Sequence, residues 1–122
     1  FDIVYSISTI EHIAPGEHQS LMTEIGRVLK PGGRCVLTVD LFLNLAPFTD
    51  RVENEFGVNV DVAGLCECSG LALVSGDRAE LLGFPEFSAK EVLANLGGTL
   101  FGANPSLAQC LVLSKEATLQ SR

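Results

Sequence analysis

The segment LMTEIGRVLKPGGRCVLTVD, residues 21–40, decides the fold of this chain. Its first apolar residues recur at the 3.6-residue spacing of one helix face, and they are Leu21, Met22, Ile25, Val28 and Leu29. This spacing predicts a helix over residues 21–29. Pro31 cannot continue the helix, and the two glycines after it permit a tight turn. Residues 34–40 are then mostly apolar or β-branched and predict a buried strand.

A second strand is predicted on the amino-terminal side of this segment. The run FDIVYS, residues 1–6, is nearly continuous in β-branched and aromatic residues, which is typical of a strand covered on both faces. A strand, a helix and a strand within forty residues form a βαβ unit, whose two strands run parallel. The loop at residues 6–12 and the carboxyl end of the second strand at Asp40 therefore share the sheet edge where open α/β sheets bind ligands.

Further elements are predicted along the rest of the chain. Residues 41–57 read as a loop with a short helical turn, and the next helix runs over residues 60–69 between Asn59 as N-cap and Gly70 as C-cap. Strands follow at residues 71–74 and 107–114, and Ser88 with Glu91 forms the capping box of a third helix. We expect one domain over residues 1–116 and a polar tail over 117–122.

Composition excludes several classes of function. The chain has 122 residues, 15 acidic and 8 basic side chains, and a formal charge of -7. The basic residues do not cluster, so neither nucleic-acid binding nor docking on an anionic membrane is predicted. Residues 92–114 carry no charge but are interrupted by glycine, asparagine and proline, so we expect no membrane-spanning helix.

The four cysteines do not predict a metal site. Cys66 and Cys68 are two positions apart and point to different sides of the predicted helix, so they cannot hold one metal together. We expect buried thiols and a reducing, cytoplasmic location.

The order of these motifs resembles the class I S-adenosylmethionine-dependent methyltransferases. The resemblance rests on the strand that opens with Phe1 and Asp2, the loop with Glu11 and His12, and the helix that ends LKPGGR at residues 29–34 before the strand to Asp40. The helix, glycine and strand over residues 65–74 and the last strand extend it. The resemblance implies an α/β fold, a partial Rossmann-like, doubly wound sheet that is mostly parallel with an antiparallel last strand.

The resemblance also implies a function. It implies transfer of a methyl group from S-adenosylmethionine to a small-molecule or peptidyl acceptor, with Ser6, Ile7 and Ser8 lining the methionine end of the cofactor. The glycine-rich cofactor loop of the family has no counterpart in this sequence. We therefore expect the carboxyl-terminal portion of a methyltransferase domain, inactive alone, whose missing amino-terminal half is a partner.

Two residues are candidates for catalysis. His12 lies at the ligand edge and could act as a general base, although a structural role before the helix is favoured because methyl transfer depends on positioning. Asp40 ends a buried strand, where a carboxylate needs a partner or a substrate contact. Glu11 has the same two interpretations. His18, on an early turn of a solvent-facing helix, has no predicted chemistry.

Two alternative functions remain open. The chain could be a noncatalytic α/β interaction module, or a homo-oligomer, that pairs through an exposed sheet edge. It could also be half of a nicotinamide-dependent oxidoreductase, because LKPGGR precedes strands in some of those enzymes. The Glu11–His12 loop disfavours the oxidoreductase.

Overall fold

The computed structural model describes residues 1–95 and 106–116. It contains six strands, β1 (Ile3–Ile7), β2 (Arg34–Phe42), β3 (Glu53–Asn54), β4 (Gly57–Val58), β5 (Ala72–Ser75) and β6 (Ser106–Ser114). The helices are α1 (His18–Val28), α2 (Val62–Ser69) and α3 (Ala89–Asn95), with 3-10 turns at Ile10–His12, Pro15–Glu17 and Arg78–Glu80. The predicted tail, residues 117–122, lies outside the described residues.

The predicted βαβ unit is present. β1 and β2 are parallel neighbours, with Ile3 beside Arg34 and Ile7 beside Thr38. α1 connects them and begins three residues earlier than its apolar stripe indicates. β1 and β2 therefore end at one edge of the sheet, as the sequence predicts.

The main sheet is mixed, in the order β1-β2-β6-β5. β6 runs antiparallel, as predicted for the last strand. The expectation of a mostly parallel sheet is wrong, because most neighbouring strands pair antiparallel. The reason is that β6 lies between β2 and β5. It forms an antiparallel pair on each side, and only β1 and β2 pair in parallel.

One face of the sheet carries the hydrophobic core. Fully buried side chains of β2 and β6 pack there against residues of α1 and α2. This cluster includes Cys35, Leu37, Val39, Leu111, Leu113, Met22, Ile25, Val62 and Leu65. Burial of such side chains contributes about 1.5–3 kcal/mol each, so this layer holds the sheet and the two helices together.

The opposite face of β1 is open within the described residues. Ile3, Tyr5 and Ile7 are 60%, 71% and 55% exposed. The prediction that β1 is covered on both faces is therefore wrong for this chain by itself. β1 lies at the edge of the sheet, and among its residues only Val4 packs on the described core cluster.

The region after Asp40 departs from the prediction. β2 continues to Phe42, and the β3–β4 hairpin follows in place of part of the predicted loop. The predicted helical turn is present, because the Thr49 N–H donates to the carbonyl of Leu45, four residues earlier, at 3.2 Å. α2 has Asp61, not Asn59, as its N-cap, with the Asp61 side chain accepting a hydrogen bond from the Gly64 N–H at 3.0 Å. Gly70 ends α2 in the left-handed conformation at φ 70°, as predicted.

The third helix has the predicted cap in part. The Ser88 hydroxyl accepts a hydrogen bond from the backbone N–H of Glu91 at 3.3 Å.

No helix among the described residues is long and apolar enough to cross a bilayer.

Candidate functional site

Ser8 lies at the carboxyl edge of the sheet, one residue beyond β1. Its φ of 49° turns the chain sharply, and its N–H donates to the carbonyl and the hydroxyl of Thr38 on β2 at 2.9 and 3.0 Å. Its own hydroxyl donates to Oδ1 of Asp40 at 3.0 Å. Ser6 and Ile7 are the last two residues of β1, Ser6 half-buried and Ile7 exposed. Ser6, Ile7 and Ser8 thus lie at the predicted edge.

Asp40 lies two residues before the end of β2 and is half-buried. Its carboxylate has the partner that the sequence requires, because Oδ1 accepts the Ser8 hydroxyl. Its Oδ2 makes no hydrogen bond within the described part of the chain. One carboxylate oxygen is therefore held by the fold.

Glu11 is the most buried charged residue of the described chain. It is 1% exposed, and its Oε1 accepts a hydrogen bond from the backbone N–H of Asp40 at 3.2 Å. Its Oε2 is buried and has no hydrogen-bond partner among the described residues. A buried carboxylate oxygen without a partner is costly, so the position of Glu11 depends on the contacts around it.

His12 lies beside Glu11 and connects two loops. Its Nδ1 contacts the backbone carbonyl oxygen of Phe56 in the β3–β4 turn, and its Nε2 is 3.5 Å from Oε2 of Glu11. A carbonyl oxygen only accepts hydrogen bonds, so Nδ1 is the donor. Both ring nitrogens therefore face oxygen atoms of this chain, although the side chain is 47% exposed.

The β3–β4 hairpin holds Phe56 against this loop. Oδ1 of Asn54 accepts hydrogen bonds from the N–H groups of Phe56 and Gly57 and closes the turn. Gly57 has a φ of 144°, and a Cβ atom there would collide with the backbone oxygen of Glu11. Only glycine allows the hairpin to approach the Glu11 loop this closely.

His18 and Asn59 are structural residues whose roles the sequence did not indicate. His18 is buried, not solvent-facing, and its Nε2 lies 3.1 and 2.9 Å from the carbonyl oxygens of Ile10 and Ile13. Asn59 binds the backbone N–H and the carbonyl of Phe42 at 2.6 and 2.8 Å. Both fix loops at the ligand edge. The only sequence signal for either was a polar residue next to an apolar run.

The cysteines are free thiols with different exposure. Burial raises the pKa of Cys35 to about 11, and it raises the pKa values of Cys66 and Cys68 as well. Cys110 is exposed, so the expectation of buried thiols fails for this residue. No group of three or more His, Cys, Asp or Glu side chains within residues 1–95 and 106–116 is arranged to hold a metal ion.

The arrangement of β1, α1, β2 and the loop around Glu11 is found in known proteins. Residues 1–37 match the family model of a methyltransferase domain. The resemblance predicted from the sequence is confirmed over this stretch. It includes the Glu11–His12 loop and the LKPGGR motif.

Two solved structures share the fold of this chain. One is the [4+2]-cyclase SpnF, with a TM-score of 0.58 and 16% identity, and the other is a SAM-dependent methyltransferase from Methanosarcina mazei, with a TM-score of 0.52 and 14% identity. Both matches cover 97% of this chain. The chain spans 50% of the first structure and 60% of the second, so it corresponds to roughly half of each.

Proposed function

We propose that this chain is part of a methyltransferase domain that transfers a methyl group from S-adenosylmethionine to a small-molecule or peptidyl acceptor. One observation carries the proposal. The segment that matches the methyltransferase family, residues 1–37, contains Ser8 and Glu11, and both bind Asp40 at the ligand edge of the sheet. In an open α/β sheet, the carboxyl edge of parallel strands is where ligands bind.

The residues at this edge fit one wall of a cofactor site. When bound, S-adenosylmethionine supplies a methyl group on a cationic sulfur atom. Ser6, Ile7 and Ser8 would line the cofactor. The contacts would come from the end of β1 and from the exposed apolar side chain of Ile7. The carboxylates of Asp40 and Glu11 lie nearby, and no lysine or arginine joins their hydrogen bonds in the described chain. An acidic edge suits a cationic group.

Asp40 is the residue that we assign to the acceptor. Its Oδ1 is held by Ser8, so the free Oδ2 has a fixed position from which it can accept a hydrogen bond from an acceptor O–H or N–H. Fixed positioning of this kind contributes to catalysis by aligning the two reactants. We assign His12 a positioning role through Glu11 and Phe56, because both of its nitrogens face atoms of this chain.

We further propose that a second polypeptide segment completes the domain beside β1. The outer side of β1 has no strand partner in the described residues, and its open face carries Ile3, Tyr5 and Ile7. The chain spans only 50% and 60% of the two solved structures that share the fold. The missing amino-terminal half would cover this surface and supply the glycine-rich loop, so the 122-residue chain alone should bind S-adenosylmethionine negligibly.

The first test is to read the coding sequence upstream of the Phe1 codon. We expect an open frame that encodes an apolar strand, a Gly-x-Gly turn and an acidic residue about 20 positions later. The protein from that complete frame would then be cross-linked by ultraviolet light to S-adenosylmethionine labelled in its methyl group. We expect label in the tryptic peptide that ends at Arg27, and labelling should saturate with cofactor concentration.

The outcomes separate the rival functions. Absence of saturable labelling of the complete protein would exclude the methyltransferase proposal. Label confined to other peptides would exclude the contact at Ser6, Ile7 and Ser8. Because a [4+2]-cyclase shares this fold, binding of the cofactor without consumption of its methyl group on any acceptor tested would point to a different reaction at the same edge.

A noncatalytic interaction module is the second candidate. The exposed apolar residues of β1 favour it, because an uncovered edge strand promotes association. Light scattering of the 122-residue chain tests this candidate. A dimer that dissociates when Tyr5 is changed to Lys would support pairing through β1, and a strict monomer at high concentration would exclude it. We propose a cytoplasmic location for either function, because all four cysteines are free thiols.

A further inference from the structure

A cavity of about 300 Å³ lies at the same edge of the sheet, next to β6. β5 pairs with β6 only at Val112, Leu113 and Ser114, so residues 107–110 of β6 have no strand on that side in the described chain. Asp77, Ala79, Glu80, Leu81 and the start of α3 line the resulting notch. This volume is at the lower end of the range for pockets that bind small molecules.

The walls of the cavity combine apolar and acidic side chains. Leu41, Leu81, Val92 and Leu107 supply the apolar part. Asp77, Glu80 and Glu91, which are exposed, supply three carboxylates, and none of the lining residues that the structure describes is a lysine, arginine or histidine. Apolar walls with a few polar groups of one sign favour a ligand with an apolar body and an opposite charge.

No basic side chain neutralises these carboxylates within the described residues. None of the four ion pairs there involves Asp77, Glu80 or Glu91. Two basic residues are next to these carboxylates in the sequence: Lys90 is exposed and belongs to none of the four ion pairs, and Arg78 is directed elsewhere. Its guanidinium lies 3.8 Å from Glu86 and 5.1 Å from the ring centre of Phe84. The carboxylates therefore keep a negative potential in the cavity, in a chain whose net charge is already -7.

The cavity reaches the strand residue that is paired with Asp40. Ala108, which lines the cavity, is the residue of β6 directly opposite Asp40 on β2. Directly opposed residues in an antiparallel pair have Cα atoms about 4.5–5.5 Å apart and side chains on the same face. Ala108 therefore lies between Asp40 and the cavity, and Asp40 itself does not line the cavity.

We propose that this cavity binds the methyl acceptor through a protonated amine on an apolar body, and that this amine is the binding group and not the atom that is methylated. The amine would lie among Glu80, Glu91 and Asp77, and the apolar body would contact Leu81 and Val92. This inference rests on the proposed function, because the ligand is a methyl acceptor only if the protein transfers a methyl group. The preference for a cation stands on the cavity alone and is tested without the cofactor.

The experiment compares three probes of nearly equal shape. Benzylamine, benzyl alcohol and benzoate are titrated into the ¹⁵N-labelled 122-residue chain without S-adenosylmethionine, and amide shifts are followed by NMR. We expect benzylamine to bind best, with the largest shifts at Ala108, Cys110 and Glu91. Equal binding of benzoate or benzyl alcohol, or shifts confined to other residues, would overturn the proposal.

Charge-neutral variants test the carboxylates directly. We expect E80Q and E91Q each to weaken benzylamine binding about threefold, and the double variant about tenfold, as for exposed charge pairs. The matched control is the double variant E67Q and E116Q, which removes two exposed charges that do not line the cavity. Equal weakening by the control would mean that only the net charge attracts the amine, and the proposed site would be wrong.

The two proposals fail in different ways. Amine binding in the cavity together with a complete protein that does not bind S-adenosylmethionine would overturn the proposed function and leave the cation site. Saturable cofactor labelling without any amine preference would leave the function and overturn the acceptor class.

Discussion

The backbone N–H of Asp40 donates a hydrogen bond to Oε1 of Glu11 at 3.2 Å, across 29 positions of the sequence. The Ser8 hydroxyl binds the Asp40 side chain at the same place. The two contacts join the loop after β1 to the end of β2. The ligand edge is therefore held in shape by one buried carboxylate and one hydroxyl.

The first prediction concerns the hydrogen bonds of Glu11. In Glu11→Gln the amide oxygen still accepts from Asp40, and the amide N–H can donate to Nε2 of His12. In Glu11→Leu the buried N–H of Asp40 loses its partner, which costs about 1–3 kcal/mol. Both variants remove the charge, so urea unfolding should show the glutamine variant more stable than the leucine variant by that amount. Equal stability would mean that the Asp40 N–H does not depend on Glu11.

The second prediction concerns the approach of the hairpin to this loop. Gly57→Ala places a Cβ against the backbone oxygen of Glu11 at a φ of 144°. We expect a loss of more than about 1 kcal/mol in unfolding free energy, because both the space and the backbone conformation exclude a side chain. NMR shifts should concentrate at Glu11 and His12. Gly16→Ala is the control, since nothing lies within 4 Å of its Cβ position. A Gly57→Ala protein as stable as this control would refute the close approach.

The third prediction concerns the carboxyl end of α1. The Lys115 ammonium donates hydrogen bonds to the carbonyl oxygens of Gly26 and Leu29, both at 2.8 Å. A cation at this end of a helix binds unpaired carbonyls and interacts favourably with the helix dipole. Lys115→Met should lower the unfolding free energy by about 2 kcal/mol in thermal or urea unfolding.

Lys90→Met is the control for this change, because Lys90 is exposed and makes no hydrogen bond in the described chain. If the two variants lose the same stability, the effect comes from charge alone. The contact at the end of α1 would then contribute nothing.

Local patterns were enough to predict the βαβ unit. The apolar stripe of α1, Pro31 and the strand at residues 34–40 are all encoded by neighbouring residues, and they fix the edge where Ser8 and Asp40 meet. Long-range contacts were not predictable in this way. The insertion of β6 beside β2 depends on pairing residues about seventy positions apart, such as Asp40 with Ala108. Periodicity carries no information on such pairing.

The same limit applies to the candidate site. The sequence predicted that Asp40 has a partner, because a lone buried carboxylate is costly. It did not predict that the partner is Ser8, because that contact depends on the turn after β1. Asn59 was expected to cap α2 because asparagine favours that position. Its side chain instead binds the backbone of Phe42, and Asp61 caps the helix. Two residues with the same capping preference stood two positions apart, and tertiary contacts chose between them.

The last prediction concerns the pH dependence of stability. Burial raises the pKa of Cys35 to about 11, above the value near 9 for an exposed thiol. The folded chain therefore holds this proton more tightly than the unfolded chain. The resulting stability is fully present below pH 9 and is lost as the pH rises toward 11. A shift of this size corresponds to a loss on the order of 2 kcal/mol.

Urea unfolding at pH 8 and at pH 10.5 measures this loss. Tyrosine and lysine side chains also titrate in that interval. The unfolding free energies are therefore compared with those of Cys35→Ala, which lacks only the ionisation of this thiol. We expect the unfolding free energy of the unmodified chain to fall more steeply with pH than that of the variant. Parallel pH profiles would show that the Cys35 thiol ionises as easily in the folded chain as in the unfolded one, and that its place in the core does not exclude water.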